Sequence, residues 1–193
     1  MLQIARFAPL FVDFDTKRSQ DMGRRSGLVR ACKPAEGIKI LDATAGWGRD
    51  ASVLAHRGAE VLMLERHPMM SALLADGLRR CTHLKLSLLP LDAKTYLSTL
   101  EPSEYPDVIY LDPMHPLRQK SALVKKDMQA LQQCIGVDED AKEVLVLALT
   151  RARQRIVIKW PQRSPPLYPP DVSIPGTTIR FDMYWPRLSV ENL

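Results

Sequence analysis

The sequence has few cysteines and no long apolar run. Cys32, Cys81 and Cys134 are far apart and form no C-x-x-C pair, so neither a disulfide framework nor a metal site is indicated. No apolar segment approaches the ~20 residues that cross a bilayer. Arg6 and Asp13 interrupt the apolar N-terminus, which excludes a signal peptide. We therefore expect a cytoplasmic protein with reduced thiols, no metal and no membrane contact.

Charge and length give weaker constraints. A chain of 193 residues is typical of one domain. Lys and Arg number 27 against 22 Asp and Glu, a formal net charge of +5. This excess attracts phosphates, but by itself it identifies no nucleic-acid partner. The spacing of His56, His67 and His83 suggests no metal ligands, so we expect structural or exposed histidines.

Apolar, β-branched runs alternate with segments of helical periodicity from Gly37 onward. Predicted strands cover 38–41, 60–64, 84–89, 108–111 and 155–160, with one or two antiparallel strands in 177–184. Predicted helices cover 49–57, 68–80, 93–100, 121–135 and 138–150. The alternation predicts a Rossmann-like α/β fold, a mostly parallel sheet with helices on both faces. We expect an N-terminal arm over 1–36 and one domain over 37–193, with a proline-rich loop near 161–175.

The first predicted strand leads into a glycine turn that contains Asp42, Gly46 and Gly48. Ligands of open α/β sheets bind beyond the carboxyl ends of the strands, where glycine lets the backbone approach them. A plain turn or a dinucleotide site are alternatives, but Ala51 replaces the third glycine of the dinucleotide fingerprint. Asp42 suits the cationic sulfonium and ammonium of S-adenosylmethionine better than a pyrophosphate.

Acidic residues also follow the second and third strands. Glu65 lies where a carboxylate can accept both ribose hydroxyls, although an ordinary exposed glutamate is the alternative. Asp92 is placed to accept from an adenine amine, or to cap the helix that begins at Ala93. Three strand-end acids in register favour a nucleoside-containing cofactor.

The fourth strand ends in Asp112-Pro113. An exocyclic base amine is a poor nucleophile because its lone pair is delocalised into the ring. A carboxylate and a backbone carbonyl accept its hydrogens and draw the nitrogen toward tetrahedral geometry. Proline fixes the turn and removes a competing donor. These two residues are the predicted catalytic pair, and a simple Asp-Pro turn is the alternative.

Cations lie close to this pair along the chain. Arg118, Lys120, Lys125 and Lys126 follow it, and Lys159 ends the fifth strand. They are the predicted contacts to a nucleic-acid backbone, with a solvated helix face as the alternative. The next residue, Trp160, either stacks on a base or packs in the protein.

Four longer strings carry a specific resemblance. They are 42–50 (DATAGWGRD), 63–66 (MLER), 110–114 (YLDPM) and 119–126 (QKSALVKK). With them, nearly the whole chain resembles the ribosomal RNA small subunit methyltransferase J family, whose members methylate the N2 amine of a guanine in 16S ribosomal RNA. The resemblance implies a class I S-adenosylmethionine-dependent methyltransferase with a seven-stranded sheet.

The resemblance also implies site residues and a partner. The implied cofactor contacts are Asp42, Gly46, Gly48, Arg49, Asp50, Glu65, Arg66, Asp92, Ala93, Lys94 and Asp112. The implied partner is 16S ribosomal RNA or the small subunit. His115 stands where the family has Phe, and family members carry a longer N-terminal region. A DNA or protein amine methyltransferase and a non-catalytic RNA-binding module remain alternatives, and the sequence leaves the oligomeric state open.

Overall fold

The computed structural model describes residues 10–21, 23, 26–114 and 140–189. They form an α/β fold around a seven-stranded sheet. The strands are β1 (Lys39–Asp42), β2 (Glu60–Leu64), β3 (Leu86–Leu89), β4 (Val108–Leu111), β5 (Arg155–Pro161), β6 (Val172–Ile174) and β7 (Ile179–Tyr184). The helices are α1 (Lys17–Asp21), α2 (Gly27–Cys32), α3 (Arg49–His56), α4 (Pro68–Arg80), α5 (Ala93–Thr99) and α6 (Ala141–Leu149), with a 3₁₀ turn at Pro102–Glu104.

The strand order is β3-β2-β1-β4-β5-β7-β6. The first five strands in this order are parallel, whereas β7 runs antiparallel to β5 and β6 antiparallel to β7. The predicted α/β class, the mostly parallel sheet and the antiparallel strand within 177–184 are confirmed. The sequence pattern did not predict β6, which lies inside the predicted proline-rich loop. This strand has three residues and forms one edge of the sheet, where it pairs with β7.

Alternate residues of each strand pack into two separate hydrophobic cores, one on each face of the sheet. Ile40 and Met63 belong to the core that α2, α3 and α4 cover. Their neighbours Leu41 and Leu64 belong to the core that α5 and α6 cover. This alternation follows from the two-residue period of a strand, and it explains why these strands read as continuous apolar runs.

The described residues before residue 37 pack on the first core rather than standing apart. Val12, Phe14 and Leu28 are buried there. The Ser26 side chain accepts a hydrogen bond from the Val29 N–H, so it caps α2. The boundary at residue 36 stays a prediction.

Arg180 anchors the loop that follows β5. Its guanidinium donates to the backbone oxygens of Pro161, Gln162 and Ser164 and pairs with buried Asp182. The Trp160 indole donates to the Pro165 oxygen at 2.7 Å. Trp160 is 6% exposed, so the packing alternative holds rather than base stacking. Across the described ranges, no helix combines the length and apolar character that a bilayer span requires.

Candidate active site

A cavity of about 320 Å³ opens at the carboxyl ends of β1, β2 and β4. Its lining includes residues predicted for the cofactor or for catalysis, namely Gly46, Glu65, Arg66, Asp92, Ala93, Asp112 and Pro113. Thr44, His67, Leu91, Asp140 and Val144 also line it, and the sequence patterns had not singled them out. A larger cavity of about 510 Å³ lies at the opposite strand ends, around Lys39, Glu60 and Pro106. The first cavity is the better candidate because parallel sheets bind ligands at their carboxyl edge.

The two glycines of the turn differ in what they do. Both have positive φ, +52° at Gly46 and +64° at Gly48. A Cβ on Gly46 would meet only the Thr44 oxygen at 3.9 Å, so this turn leaves its cavity side open. A Cβ on Gly48 would lie 2.6 Å from the Phe14 ring and 2.9 Å from Leu74. Gly48 lies outside the cavity lining, and its conformation and core packing account for the glycine.

Glu65 ties the end of β2 to the glycine turn. Its Oε2 accepts the Gly46 N–H at 3.0 Å, and its Oε1 accepts the His67 N–H at 2.7 Å. A carboxylate fixed by two backbone donors has a defined orientation. The side chain borders the cavity, as the ribose hypothesis requires.

Arg66 and Asp92 define the opposite wall. Asp92 caps α5, since its Oδ1 accepts the Thr95 N–H at 3.1 Å, which confirms the helix-cap alternative. The Arg66 guanidinium lies 3.4 Å from Asp92 Oδ2 and 2.9 Å from Asp140 Oδ2. It thereby joins segments that follow β2 and β3 to the start of α6. Lys94 points elsewhere, into an exposed ion pair with Glu143.

The Lys159 ammonium lies between two carboxylates. Asp112 follows the carboxyl end of β4, and Asp50 is in the first turn of α3. Its Nζ is 2.7 Å from Asp112 Oδ2 and 2.7 Å from Asp50 Oδ2. The Tyr110 hydroxyl donates to the same Asp50 oxygen at 2.5 Å. Burial acts to lower the pKa of Lys159, but Asp112 and Asp50 outweigh it and raise that pKa.

This position alters the interpretation of Lys159. The side chain is only 18% exposed, and its charge is already compensated by two acids. The geometry favours a place in the charge balance of the site over the predicted contact with a phosphate. The sequence could not reveal this, because the three charges come from three distant segments.

Asp42 lies beneath the turn and is 1% exposed. Its Oδ1 accepts the Thr44 N–H at 3.1 Å. Burial, with the neighbouring charges of Asp50 and Asp112, raises the pKa of Asp42 to about 8, although the Thr44 bond acts in the opposite direction. The raised pKa favours the protonated, neutral form of Asp42, and the residue lies outside the cavity lining. Attraction to a sulfonium, for which the sequence singled it out, is not what this geometry favours.

Thr44 and Tyr110 are the polar residues that the sequence reasoning missed. The Asp112 N–H donates to Thr44 Oγ1 at 2.6 Å, which anchors the Asp-Pro turn to the glycine turn. Burial, followed by the charges of Asp50 and Asp112, raises the pKa of Tyr110 well above its usual value, so the hydroxyl stays a donor. Tyr110 stands inside the YLDPM string, and Thr44 inside DATAGWGRD. These two strings are the sequence signal that could have identified Thr44 and Tyr110.

Several predicted residues are not part of this geometry. Arg49 lies with its guanidinium 5.9 Å from the Trp47 ring centre and outside the cavity lining. The predicted helix 121–135 and the residues His115, Arg118, Lys120, Lys125 and Lys126 lie outside the described residues.

Comparison with known proteins agrees with the fold. A family model described as "Putative SAM-dependent methyltransferase" matches residues 2–186. The chain therefore belongs to the S-adenosylmethionine-dependent methyltransferases.

Its relatives narrow the family further. "Ribosomal RNA small subunit methyltransferase J" of Legionella pneumophila (strain Corby) is 55% identical over 97% of this chain and 81% of the relative. The protein of the same name from Coxiella burnetii (strain RSA 331 / Henzerling II) is 48% identical over 91% of this chain and 74% of the relative. The chain belongs to the ribosomal RNA small subunit methyltransferase J family.

A solved structure supports the assignment to the S-adenosylmethionine-dependent methyltransferases. The SAM-dependent methyltransferase NGO1261 from Neisseria gonorrhoeae superposes with a TM-score of 0.71 at 28% identity. The match covers 95% of this chain and 77% of that one.

Proposed function

We propose that this chain is a class I methyltransferase that methylates the exocyclic N2 amine of a guanine in small-subunit (16S) ribosomal RNA. The observation that carries the proposal is the Asp112-Pro113 turn, which borders the cavity at the end of β4. The names of the relatives supply the RNA class. A ribosomal RNA substrate also favours a cytoplasmic location for the protein, because ribosomal subunits are present there.

The residues around the cavity fit S-adenosylmethionine. Glu65 would accept the ribose hydroxyls, because its carboxylate is already oriented by two backbone donors. Asp92 and the segment that begins at Ala93 would face the adenine. Gly46 leaves room for the methionine end.

Charge is the second element of fit. Two acids, Asp50 and Asp112, contact the single ammonium of Lys159, while the raised pKa of Asp42 favours its neutral form. The acids of this cluster outnumber its cation, which favours a cationic cofactor. The same surplus favours the positive charge after it has moved to the base nitrogen.

The cofactor supplies an electrophilic methyl group. The chain supplies acceptors: the Asp112 carboxylate and the Pro113 carbonyl take hydrogen bonds from the two amine hydrogens. These bonds localise the nitrogen lone pair and orient it for attack. Methylation of the nitrogen would release one of its protons, which Asp112 is placed to accept before it passes to solvent.

Two contacts keep Asp112 in position for this task. Thr44 Oγ1 fixes its backbone N–H, and Lys159 Nζ fixes its Oδ2. Positioned acceptors of this kind act mainly in the transition state, because they need no reorganisation when charge develops.

RNA contacts are the least localised part of the proposal. Lys120, Lys125 and Lys126 stay the predicted phosphate contacts, together with Arg118. They follow the catalytic turn closely in sequence, which favours a backbone contact near the target base.

The test is a methyl-transfer assay with isotopically labelled cofactor. The purified chain is incubated in parallel with small ribosomal subunits, naked 16S RNA, duplex DNA and a protein mixture. Nucleoside digestion with mass analysis should then find N2-methylguanosine at one position of 16S RNA. Label in DNA or protein would favour the alternative amine methyltransferase, and cofactor-independent RNA binding without transfer would favour the non-catalytic module.

A further inference from the structure

Three side chains that could bind a metal ion lie close together, away from the cavity. They come from the segment just before α1 and from the residues that follow α4. The three are Asp15, Cys81 and His83. One ligand atom from each lies within 4.8 Å of those of the other two. We propose that these three side chains bind one Zn²⁺ ion, with a water molecule in the fourth position.

The imidazole of His83 lies between the other two side chains and faces them with different nitrogens. His83 Nε2 is 3.1 Å from Asp15 Oδ1, and the Cys81 sulfur is 4.0 Å from His83 Nδ1. Ligands of a tetrahedral zinc ion are separated by roughly 3.3–3.8 Å, given bonds of ~2.0–2.3 Å. His83 is 58% exposed on its side chain, so the ring can turn to present one nitrogen.

Asp15 gives an independent indication. Its Oδ1 is shielded from solvent, yet within the described part of the chain it accepts no hydrogen bond of normal geometry. This is so although imidazole nitrogens of His83 and His56 lie 3.1 and 3.4 Å away. A shielded carboxylate oxygen that lacks a well-aligned hydrogen bond is stabilised when a cation approaches it.

His56 is best placed as a neighbour rather than a ligand. Its Nε2 lies 3.1 Å from the Phe14 oxygen, a bond that requires a proton on that nitrogen. A protonated nitrogen cannot bind a metal, so the protein contributes three ligands.

The donor set selects the kind of metal. One sulfur, one imidazole nitrogen and one carboxylate oxygen are the ligands that zinc takes in proteins, whereas Mg²⁺ and Ca²⁺ take oxygen almost exclusively. The ion would join the segment that carries Asp15 to the end of α4. It would therefore fasten the N-terminal segment to the methyltransferase core.

Nothing in the sequence pattern indicated this site, because Asp15 is far from Cys81 and His83 along the chain. The packing of Phe14 against Gly48 and Gly77 helps to bring the two segments together, and Arg80 donates to the Val12 oxygen beside it. The proposal is independent of the methyltransferase function, since none of these residues lines the cavity.

The experiment uses the full chain without an affinity tag, freed of metal by chelation. Titration with Co²⁺ should give one ion per chain and a sulfur-to-cobalt charge-transfer absorption. Zn²⁺ should displace the Co²⁺ and raise Tm by roughly 5–10 °C at a hundredfold excess over Kd. Cys81→Ser should abolish the absorption, and His83→Gln should weaken binding at least tenfold.

Cys32→Ala is the matched control, because Cys32 is the other buried free thiol of the described residues. It should leave the absorption intact. S-adenosylmethionine binding by every variant shows that it is folded. The proposal is overturned if the parent shows no thiolate absorption, if Cys81→Ser retains it, or if Cys32→Ala loses it equally.

Discussion

Lys159 and Asp112 form an ion pair of 2.7 Å across neighbouring parallel strands, at the edge where the cavity opens. The same ammonium contacts Asp50, so one cation holds two acids that would otherwise repel each other. Such partly buried pairs are sensitive to the loss of one partner, since the charge left behind has no compensation.

Replacing Lys159 with Met should therefore lower both stability and turnover. We expect a loss of about 3–5 kcal/mol in the free energy of unfolding, the usual cost of breaking a buried pair. At temperatures where the variant is folded, kcat should fall at least tenfold while the KM for RNA changes little. Lys159→Arg should recover part of both quantities. Lys85→Met, which removes an exposed ion pair with Glu60, should cost less than about 1 kcal/mol.

A phosphate-binding Lys159 would behave differently. The KM for RNA would then rise, the salt dependence of binding would flatten, and kcat would be preserved. That pattern in steady-state kinetics would restore the RNA contact predicted from the sequence.

Asp112→Asn tests the chemical step. The change keeps the shape but removes the charge, and its amide can present a donor to a donor. Single-turnover methyl transfer should slow by ~100-fold or more, the scale for one preorganised electrostatic contact. RNA affinity should hold, because phosphate contacts supply most of it.

Asp107→Asn is the control for that variant. Asp107 immediately precedes β4, at the end of the strand opposite to Asp112, and its carboxylate accepts the Lys39 N–H. The control variant should transfer methyl at near the parent rate. An Asp112→Asn rate close to that of the parent would reduce Asp112 to a turn residue.

Glu65→Gln tests the ribose contact. Replacing a charged acceptor should weaken S-adenosylmethionine binding by about 1–3 kcal/mol, measured by calorimetry. Glu60→Gln, at the amino end of the same strand, should leave the affinity unchanged because it lies far from this cavity. Equal affinities for the parent and Glu65→Gln would remove Glu65 from the cofactor site.

Asp42 makes stability depend on pH. Its pKa is raised to about 8 in the folded chain, against 3.8 ordinarily, so the folded state binds the extra proton between these values. The free energy of unfolding should therefore fall as pH rises through this window, by up to about 1.4 kcal/mol per unit from this group. Asp42→Asn imitates the protonated form and should flatten the profile in denaturant titrations at pH 5–9. A variant with the same slope as the parent would show that Asp42 does not carry that proton.

The lysines that follow the catalytic turn have their own test. Replacing Lys120, Lys125 and Lys126 together with Ala should weaken RNA binding and reduce its dependence on salt, since fewer counterions are released. S-adenosylmethionine affinity should stay the same. An unchanged salt slope would return these residues to a solvated helix face.

The sequence by itself determined most of the strands and the edge at which they end. Apolar runs such as 60–64 and 108–111 depend only on near neighbours, and both strands occur with these bounds. Because parallel strands end at one edge, the sequence also predicts that the strand-end acids lie near one another. Glu65, Asp92 and Asp112 line one cavity, whereas Asp42 lies outside its lining.

Tertiary structure decided which charges meet and which are hidden. Lys159 stands at a strand end in either case, but only the pairing of β4 with β5 brings it to Asp112. Gly48 belongs to a turn by its local sequence, whereas the approach of Phe14 determines that no side chain fits there. Local periodicity fixes strands and helices, but pKa values, ion pairs and close contacts depend on burial among residues that are distant along the chain.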